Sequence, residues 1–420
     1  MKRFLTRLSV LVVPMAWACS DSPVEPTPAA PVAEAPASAG VSSAAALQAA
    51  LNDAAVSGDI HTIRLSEHIV LPTALTYGGA SALTINGQGH TISGPAGDDA
   101  FRADGGGDLR FQNVRLVGAP GYVSDFGIYV EVPGDATGTF RVELDHVELA
   151  GFGLSGMWVD DQVNDSDASV ALDIRSSKVL DNGFKPAAST DLADIEAVLD
   201  FDGVRGNEGG TGHLLVTILQ SQFVGNAGDA FEGDEKGDGD ARSDVRGSDF
   251  SDGGSQPQDI RNCIDYPELA ARPAPCDDYP DLEDGFDIDE DGEGGLFAVL
   301  VNVQANRNID EGIDLDELGN GDAWIVARNV VAVGNSDENI KVTESDPEVD
   351  ELEGVDRPGG GDVIVELDNV TADGSEIGRG ARFEEFGDGD LRGLRALASD
   401  GSCLDPGPVA DLGVETPSRR

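Results

Sequence analysis

The chain has few basic residues, few aromatic residues and only four cysteines. Lysine and arginine together number 27 against 78 aspartate and glutamate residues, so the 420 residues carry a formal net charge of −51. Recognition of nucleic-acid phosphates needs a concentrated basic face, and docking to anionic lipid needs clustered basic residues. The composition therefore predicts neither nucleic-acid binding nor electrostatic membrane binding. Hydrophobic residues make up 40% of the chain, which suffices for a core, and the 5% of aromatic residues predicts small aliphatic packing.

The apolar run near the N-terminus is short. Leu8 to Val13 follows Lys2 and Arg3 and is too short to span a bilayer as a stable anchor. A charged start, an apolar run and small residues before Cys19 are the order of a secretory signal. We therefore interpret residues 1–18 as a signal peptide.

The segment Ala16-Trp17-Ala18-Cys19 resembles the lipobox of bacterial lipoproteins. The resemblance implies that Cys19 is lipidated and becomes the mature N-terminus. Residues 19–40 are rich in proline and alanine, which predicts a stiff, extended tether. Because Ser20 follows the cysteine, the resemblance also implies sorting to an outer membrane. The alternative is simple secretion with conventional cleavage after Ala18.

Export changes the interpretation of the remaining cysteines. Cys263 and Cys276 lie in one predicted loop, and an oxidising compartment favours a local disulfide between them. Cys403 is left over near the C-terminus. A zinc site is less favoured, because no histidine lies near these cysteines in the sequence.

A polar or glycine residue recurs between short apolar alternations along most of the chain. The shortest spacing, 27 residues, separates Gln220 from Gly247 and Asn302 from Asn329, and longer spacings fit that minimum plus insertions. Short strands with tight turns at a constant minimum spacing predict a β-solenoid. A β-propeller needs four strands in roughly 40–45 residues, which this repeat cannot supply. The recurring positions are Asn113, His146, Ser176, Gln220, Gly247, Asn302, Asn329 and Asn369.

At this point the chain resembles the right-handed, single-stranded parallel β-helix proteins, the fold of the pectate lyases. The resemblance covers residues 41–404 and implies an all-β domain, with a tail at 405–420. Ser42 to Ala55 predicts an amphipathic N-terminal cap helix with Ala46, Leu47 and Leu51 on one face. Such a cap covers sheet edges that an open solenoid end would expose.

The second strand of each predicted coil alternates apolar residues with acids. Because side chains alternate across a strand, the acids point outward and form columns along the axis. Stacked like charges destabilise a sheet, whereas Ca²⁺ binds about six to eight oxygen ligands, so the columns predict a calcium site. The alternative is a solvated acidic face that confers solubility. The candidate ligands are Asp200, Asp202, Glu232, Asp234, Asp287, Asp289, Asp314 and Asp316.

Two bases and two aromatic residues share the first of these columns. In polysaccharide lyases of this fold, Ca²⁺ and a basic residue act together, so the resemblance implies Lys341 as general base and Arg382 as charge stabiliser. The alternative is that both merely relieve repulsion between acids. Tyr129 and Trp158 begin the column and predict a sugar-stacking platform.

The sequence therefore predicts an exported, lipid-tethered monomer that contacts the membrane through the lipid on Cys19. We expect it to bind polysaccharide along an acidic, calcium-binding face, with cleavage by β-elimination as the catalytic option. A non-catalytic structural or adhesion protein of the cell envelope is the alternative. A glycoside hydrolase with two carboxylates is a third and weaker interpretation.

Overall fold

A computed structural model describes residues 40–184, 201–254, 284–344, 361–375, 380–385 and 391. Within these residues the chain forms one helix and three parallel sheets of ten strands each. Each coil contributes one strand to each sheet in turn, and strands of successive coils pair in parallel. The fold is therefore the right-handed parallel β-helix that the sequence predicted. Contacts between Cα atoms separate residues 1–38 from residues 39–420, and every described element lies in the second unit.

The strands of each sheet follow one another at intervals of one coil. Sheet 1 contains β1 (His61–Arg64), β4 (Leu83–Asn86), β7 (Leu109–Gln112), β10 (Thr137–Asp145), β13 (Asp167–Arg175), β16 (Leu214–Leu219), β19 (Ala241–Arg246), β22 (Leu296–Val301), β25 (Ala323–Arg328) and β28 (Val363–Asp368). Sheet 2 contains β2 (Ile69–Val70), β5 (Thr91–Ser93), β8 (Arg115–Val117), β11 (Glu148–Ala150), β14 (Lys178–Leu180), β17 (Gln222–Val224), β20 (Asp249–Ser251), β23 (Gln304–Asn306), β26 (Val331–Val333) and β29 (Thr371–Asp373). Sheet 3 contains β3 (Leu75–Tyr77), β6 (Phe101–Ala103), β9 (Ile128–Glu131), β12 (Met157–Asp160), β15 (Val204–Glu208), β18 (Phe231–Glu235), β21 (Phe286–Glu290), β24 (Ile313–Glu317), β27 (Ile340–Glu344) and β30 (Ala381–Glu385).

The turn from sheet 1 to sheet 2 uses the recurring residues found in the sequence. All eight have a positive φ, between 49° and 63°, which is the left-handed region. Asparagine and glycine adopt this region at low cost, which explains why they are frequent at this turn. Exposed asparagines stack across coils here: Asn329 Nδ2 donates to Asn302 Oδ1 at 3.0 Å, and Asn369 Nδ2 donates to Asn329 Oδ1 at 2.8 Å.

A second asparagine ladder is buried at the turn from sheet 2 to sheet 3. Asn182 Nδ2 donates to Asn226 Oδ1 at 3.0 Å, and Asn308 Nδ2 donates to Asn335 Oδ1 at 3.1 Å. All four side chains are buried. The interior beside this turn contains stacked rings, such as Phe223 on Phe250 at 4.8 Å between centroids. The amides satisfy buried backbone groups where the chain must bend, while the rings fill the core.

The helix α1 (Ala44–Ser57) covers the N-terminal end of the solenoid. Ser43 is its N-cap and accepts from the Ala46 backbone N–H. The buried face consists of Leu47, Leu51 and Ala54, whereas Ala46 is exposed, so the predicted helix is confirmed but Ala46 was wrongly placed on its apolar face. Residues four and three apart share a helix face, and Ala46 is one position off that stripe. Among the described residues, no helix has the length and apolar character needed to cross a membrane.

Candidate functional site

The outward side chains of sheet 3 form two columns along the solenoid axis. Strand register places every predicted site residue of the described chain, except Asp202, in one of these columns. The first column reads Arg102, Tyr129, Trp158, Arg205, Glu232, Asp287, Asp314, Lys341 and Arg382. The second column reads Glu131, Asp160, Asn207, Asp234, Asp289, Asp316 and Thr343.

The third acidic strand of the prediction is wrong. The sequence favoured Val198 to Asp202, but the strand that pairs with β12 and β18 is β15, which puts Arg205 and Asn207 into the columns. The residue before β15 is Gly203, where a Cβ would lie 2.7 Å from the Asn226 amide. The strand begins at Val204 although the preceding alternation is more apolar. Asp200 lies outside the described residues.

The carboxylates of the columns are buried although they point away from the solenoid core. Glu232, Asp234, Asp287, Asp314 and Asp316 each expose less than a tenth of their surface, and Asp289 is half-buried. The interpretation as a freely solvated acidic face does not describe these six side chains. Their burial means that each charge needs a nearby counter-charge, hydrogen bond or proton.

Arg205 supplies a counter-charge at one end of the acidic stretch. Its Nη2 lies 2.5 Å from Glu232 Oε1 and 3.1 Å from Asp234 Oδ2. Burial alone would raise the pKa of Asp234, but Arg205 and Lys236 outweigh burial and lower that pKa below its usual range. Asp234 is therefore held as a carboxylate in an ion pair.

Lys341 supplies a counter-charge at the other end of the acidic stretch. Its Nζ donates to Asp314 Oδ2 at 2.8 Å and to Asp316 Oδ2 at 3.0 Å. Burial alone would lower the pKa of Lys341, but the adjacent carboxylates outweigh burial and hold the pKa well above 10.5. A general base must be neutral, so this arrangement opposes the predicted catalytic role. Arg382 follows Lys341 in the column, one coil further along.

A further column of acids lies two residues before the first residue of five strands of sheet 3, and the sequence interpretation recognised only Asp202 among them. Three of its carboxylates accept the backbone N–H of the acid in the next coil: Asp202 Oδ1 from Asp229 at 3.1 Å, Asp229 from Asp284, and Asp284 Oδ1 from Glu311 at 2.6 Å. The signal in the sequence was an acid two positions before the start of each of these strands. The column comprises Asp202, Asp229, Asp284, Glu311 and Glu338.

This column and the outward columns converge in groups with the geometry of metal ligands. One oxygen from each of Asp284, Glu311 and Asp314 lies within 4.8 Å of the others, and all three residues are buried. Burial and neighbouring acids raise the pKa of Asp284 and Asp314 well above the usual range. Asp314 Oδ1 is buried and accepts no hydrogen bond from the described residues. A hard divalent cation fits this oxygen-only set.

Two more groups of the same kind occur in the described residues. Asp202, Asp229 and Glu232 form a group of nearly buried carboxylates two coils away. A more exposed group contains Asp310, Glu311 and Asp337. The metal-ligand geometry therefore involves Asp202, Glu232 and Asp314 from the sequence prediction, together with acids that precede the strands. Asp234 and Asp316 belong to no such group among the described residues; Arg205 and Lys341 contact them, as they also contact Glu232 and Asp314.

The aromatic residues of the first column form a cluster beside Arg205. The rings of Tyr129 and Trp158 lie 5.9 Å apart and nearly perpendicular, with Phe126 against both. Arg102 covers the Tyr129 ring at 4.5 Å, and Arg205 lies 5.6 Å from the Trp158 ring. Burial and then Asp160 raise the pKa of Tyr129 to about 12. The rings are half-buried and packed in tilted and edge-to-face arrangements, so they form a pre-organised cluster and not a flat, open platform.

The predicted lipidation site, Cys19, and the predicted disulfide, Cys263 with Cys276, lie outside the described residues. Comparison with protein-family models, with curated proteins and with solved structures found no match. The residues of sheet 3 are therefore the basis for assigning a function.

Proposed function

We propose that this protein is a calcium-dependent polysaccharide-binding β-helix that is exported and tethered to the outer membrane through Cys19. The observation that carries the proposal is the buried group of Asp284, Glu311 and Asp314, in which Asp314 Oδ1 accepts no hydrogen bond from the described residues. Lys341 contacts one oxygen of Asp314, but three buried acids face this single ammonium group and repel one another when ionised. A bound Ca²⁺ would use these oxygens as ligands and would lower the pKa of the acids that hold protons without it.

The shape of the columns supports a linear polymer as the ligand. Successive coils lie about 4.8 Å apart, so the first column is a straight row from Arg102 to Arg382 on a rigid scaffold. Aromatic rings and arginine lie at one end of this row, carboxylates lie in its middle, and Lys341 and Arg382 lie at the other end. A surface this acidic repels an acidic polymer, so binding of a uronic-acid chain requires a cation between the two.

Cleavage by β-elimination remains a prediction of the resemblance. Lys341 would have to lose its proton while it contacts two carboxylates, which its raised pKa opposes. The proposal therefore includes binding and leaves catalysis to experiment. Incubation with uronic-acid polymers, followed by ultraviolet absorbance of an unsaturated product, tests the reaction directly.

A second candidate function is a non-catalytic structural protein of the envelope. It is favoured by one observation: Arg205 and Lys341 already neutralise part of the acidic stretch from within the chain. In that case the columns need no ligand, and neither calcium nor polysaccharide changes the stability of the protein.

Thermal unfolding tests the cation site. In the presence of EDTA and then of excess Ca²⁺, we expect the melting temperature to rise, because Ca²⁺ at about 100 times its Kd adds roughly 2.7 kcal/mol. The double variant Asp284→Asn/Glu311→Gln should lose this rise, whereas Asp59→Asn, an exposed control, should keep it. If Ca²⁺ does not change the melting temperature of the wild-type protein, the proposed calcium site is wrong and the structural alternative is favoured.

Polysaccharide binding can be tested with a matched pair of tryptophans. Trp158 lies in the sheet 3 column, whereas Trp324 lies on sheet 1 and is 47% exposed. We expect Trp158→Ala to weaken binding to a panel of uronic-acid and neutral polymers, and Trp324→Ala to leave it unchanged. Equal loss in both variants would contradict the placement of the binding surface.

The lipid anchor is tested by metabolic labelling with a fatty acid. We expect the wild-type protein to incorporate the label and the variant Cys19→Ala not to incorporate it.

A further inference from the structure

The interior of the solenoid contains a column of acids that face the core side of sheet 3. We call this column, which runs from Glu208 to Glu344, the glutamate ladder. Asp161 extends it at one end, and the Asp161 backbone N–H donates to the Asn207 carbonyl oxygen in the next coil. All of these side chains are fully buried, at 0% exposure. They lie at the last position of each strand, opposite in direction to the outward acids next to them. The ladder consists of Glu208, Glu235, Glu290, Glu317 and Glu344.

One oxygen of each ladder carboxyl group is satisfied by glycine. Gly319 and Gly321 both donate their backbone N–H to Glu317 Oε1 at 3.0 Å, and Glu290 accepts from two glycines at 3.1 and 3.2 Å. The sequence pattern is Glu-x-Gly-x-Gly, repeated at Glu208, Glu235, Glu290 and Glu317. The glycines are required because a Cβ at Gly319 would overlap the carbonyl oxygen of the glycine one coil earlier.

The strand register stacks each of these glutamates on the glutamate of the next coil. Oε2 of Glu208, Glu235, Glu290 and Glu317 is buried and receives no hydrogen bond from an N–H or hydroxyl group of the described residues. Successive carboxyl groups lie within hydrogen-bonding reach, from Glu208 to Glu235, Glu290 and Glu317. Two carboxylates in such contact repel each other strongly, whereas a carboxylic acid donates to a carboxylate.

Within the described part of the chain, the groups that chiefly affect the pKa of Glu208, Glu235, Glu290 and Glu317 are other acids and backbone N–H groups, and none of these is a cation. Glu208 is faced by Asp161 and Glu235, and Glu317 is faced by Glu290 and Glu344. Apart from these acids, glycine N–H groups affect the ladder, and Ser166 donates to Asp161. The outward acids of the same strands lie on the other side of sheet 3.

We propose that the glutamate ladder is a proton-binding site, in which protons held between successive Oε2 atoms join the coils of sheet 3 at neutral pH. This inference does not depend on the proposed polysaccharide function. Burial and neighbouring acids raise the pKa of Glu208 and Glu290 to about 8 and of Glu235 and Glu317 to about 7, which agrees with the geometry. The formal net charge of −51 then overstates the charge of the folded protein, because it counts every ladder residue as ionised.

The proposal determines the sign of the pH dependence. The folded ladder holds protons that the unfolded chain, with an ordinary glutamate pKa near 4.5, has already released. Where the folded state binds more protons, stability falls as pH rises. The contribution is therefore complete below about pH 4.5 and is lost as the pH rises through about 7 to 8.

Infrared spectroscopy in D₂O at pH 7 detects protonated carboxyl groups by their carbonyl stretch, which is separate from the carboxylate band. We expect such a band in the folded wild-type protein and a weaker one in Glu235→Gln/Glu317→Gln. Glutamine keeps the acceptor oxygen and supplies a permanent N–H donor in place of the proton. Glu67→Gln, at an exposed site outside the ladder, is the control and should leave the band unchanged.

Chemical denaturation between pH 5 and pH 9 provides the second measurement. We expect the midpoint of the wild-type protein to fall with pH, and that of the double variant to fall less, because two of the ladder carboxyls with a raised pKa are absent from it. The absence of the protonated band in the wild type at pH 7 would overturn the proposal. The proposal is also wrong if the double variant and Glu67→Gln lose equal band intensity. If the double variant does not fold, the single variant Glu290→Gln gives the same comparison.

Discussion

The free energy of unfolding should depend strongly on the buried ion pairs of Lys341. The Lys341 side chain is 13% exposed, and those of Asp314 and Asp316 are 8% and 6% exposed, so solvent screens these contacts weakly. At an effective dielectric constant of about 20, contacts of 2.8 and 3.0 Å each contribute roughly 6 kcal/mol of gross attraction. Desolvation of the ammonium group offsets much of this gain. We expect Lys341→Met to cost about 3–5 kcal/mol at neutral pH, because it leaves two buried acids without their cation.

The pH dependence of this loss follows from the same contacts. The pKa of Lys341 is raised above 10.5, so its stabilising contribution is fully present at pH 7.5 and is lost only as the pH rises through the folded pKa. Burial and neighbouring acids raise the pKa of Asp314, so this carboxyl group takes up a proton as the pH falls, and removal of the ammonium group then leaves less buried charge. The penalty of Lys341→Met should therefore shrink between pH 7.5 and pH 4.

Urea denaturation followed by circular dichroism, in EDTA, measures the penalty. Lys178→Met is the matched control, because Lys178 is an exposed lysine on sheet 2, and we expect a change within about 0.5 kcal/mol. The triple variant Lys341→Met/Asp314→Asn/Asp316→Asn should recover most of the loss, since no charge is left buried. A penalty below about 1 kcal/mol, or one that is equal at both pH values, would refute the reasoning.

Three further predictions concern the scaffold, and urea denaturation checks each of them. Asn308→Ala should cost roughly 1–3 kcal/mol because it removes a buried amide from a ladder, whereas Asn329→Ala, in the exposed ladder, should cost under about 1 kcal/mol. Gly237→Ala should prevent normal folding because its Cβ overlaps the backbone of the preceding coil, whereas Gly106→Ala, with its nearest atom 4.0 Å away, should fold normally. Phe250→Ala should cost about 3–5 kcal/mol, because it removes a ring stacked in the core.

The repeat could be predicted from the sequence because its turns have local requirements. The residues that recur at the first turn all adopt a left-handed φ, and this need appears in the sequence as asparagine, glycine and small polar residues. Seven of the eight predicted second strands lie in sheet 3 in the register that the alternation indicated, for example Asp287 with Asp314. The strand around Asp202 was misplaced because Val198 to Asp202 alternates more clearly than β15, whereas the pairing with β12 and β18 begins at Val204.

The acids show where sequence alone was insufficient. Asp314 and Glu317 are three residues apart on the same strand, yet one points outward among acids and a lysine and the other points into the core. The Glu-x-Gly-x-Gly pattern was present in the sequence, but only stacking shows that its two glycine N–H groups converge on one carboxyl oxygen. The groups with metal-ligand geometry likewise combine acids from different coils, such as Asp284 with Glu311.

By itself, the sequence determined that this protein is a β-solenoid with a capping helix, because alternation, turn residues and a constant minimum spacing are local properties of the chain. Tertiary structure alone decided which acids are ion-paired, which are grouped as in a metal site and which hold protons. The physical reason is that a charge depends on its surroundings. Residues 27 positions apart, such as Glu290 and Glu317, lie in contact only after the coils stack, and burial then determines whether a carboxyl group is ionised.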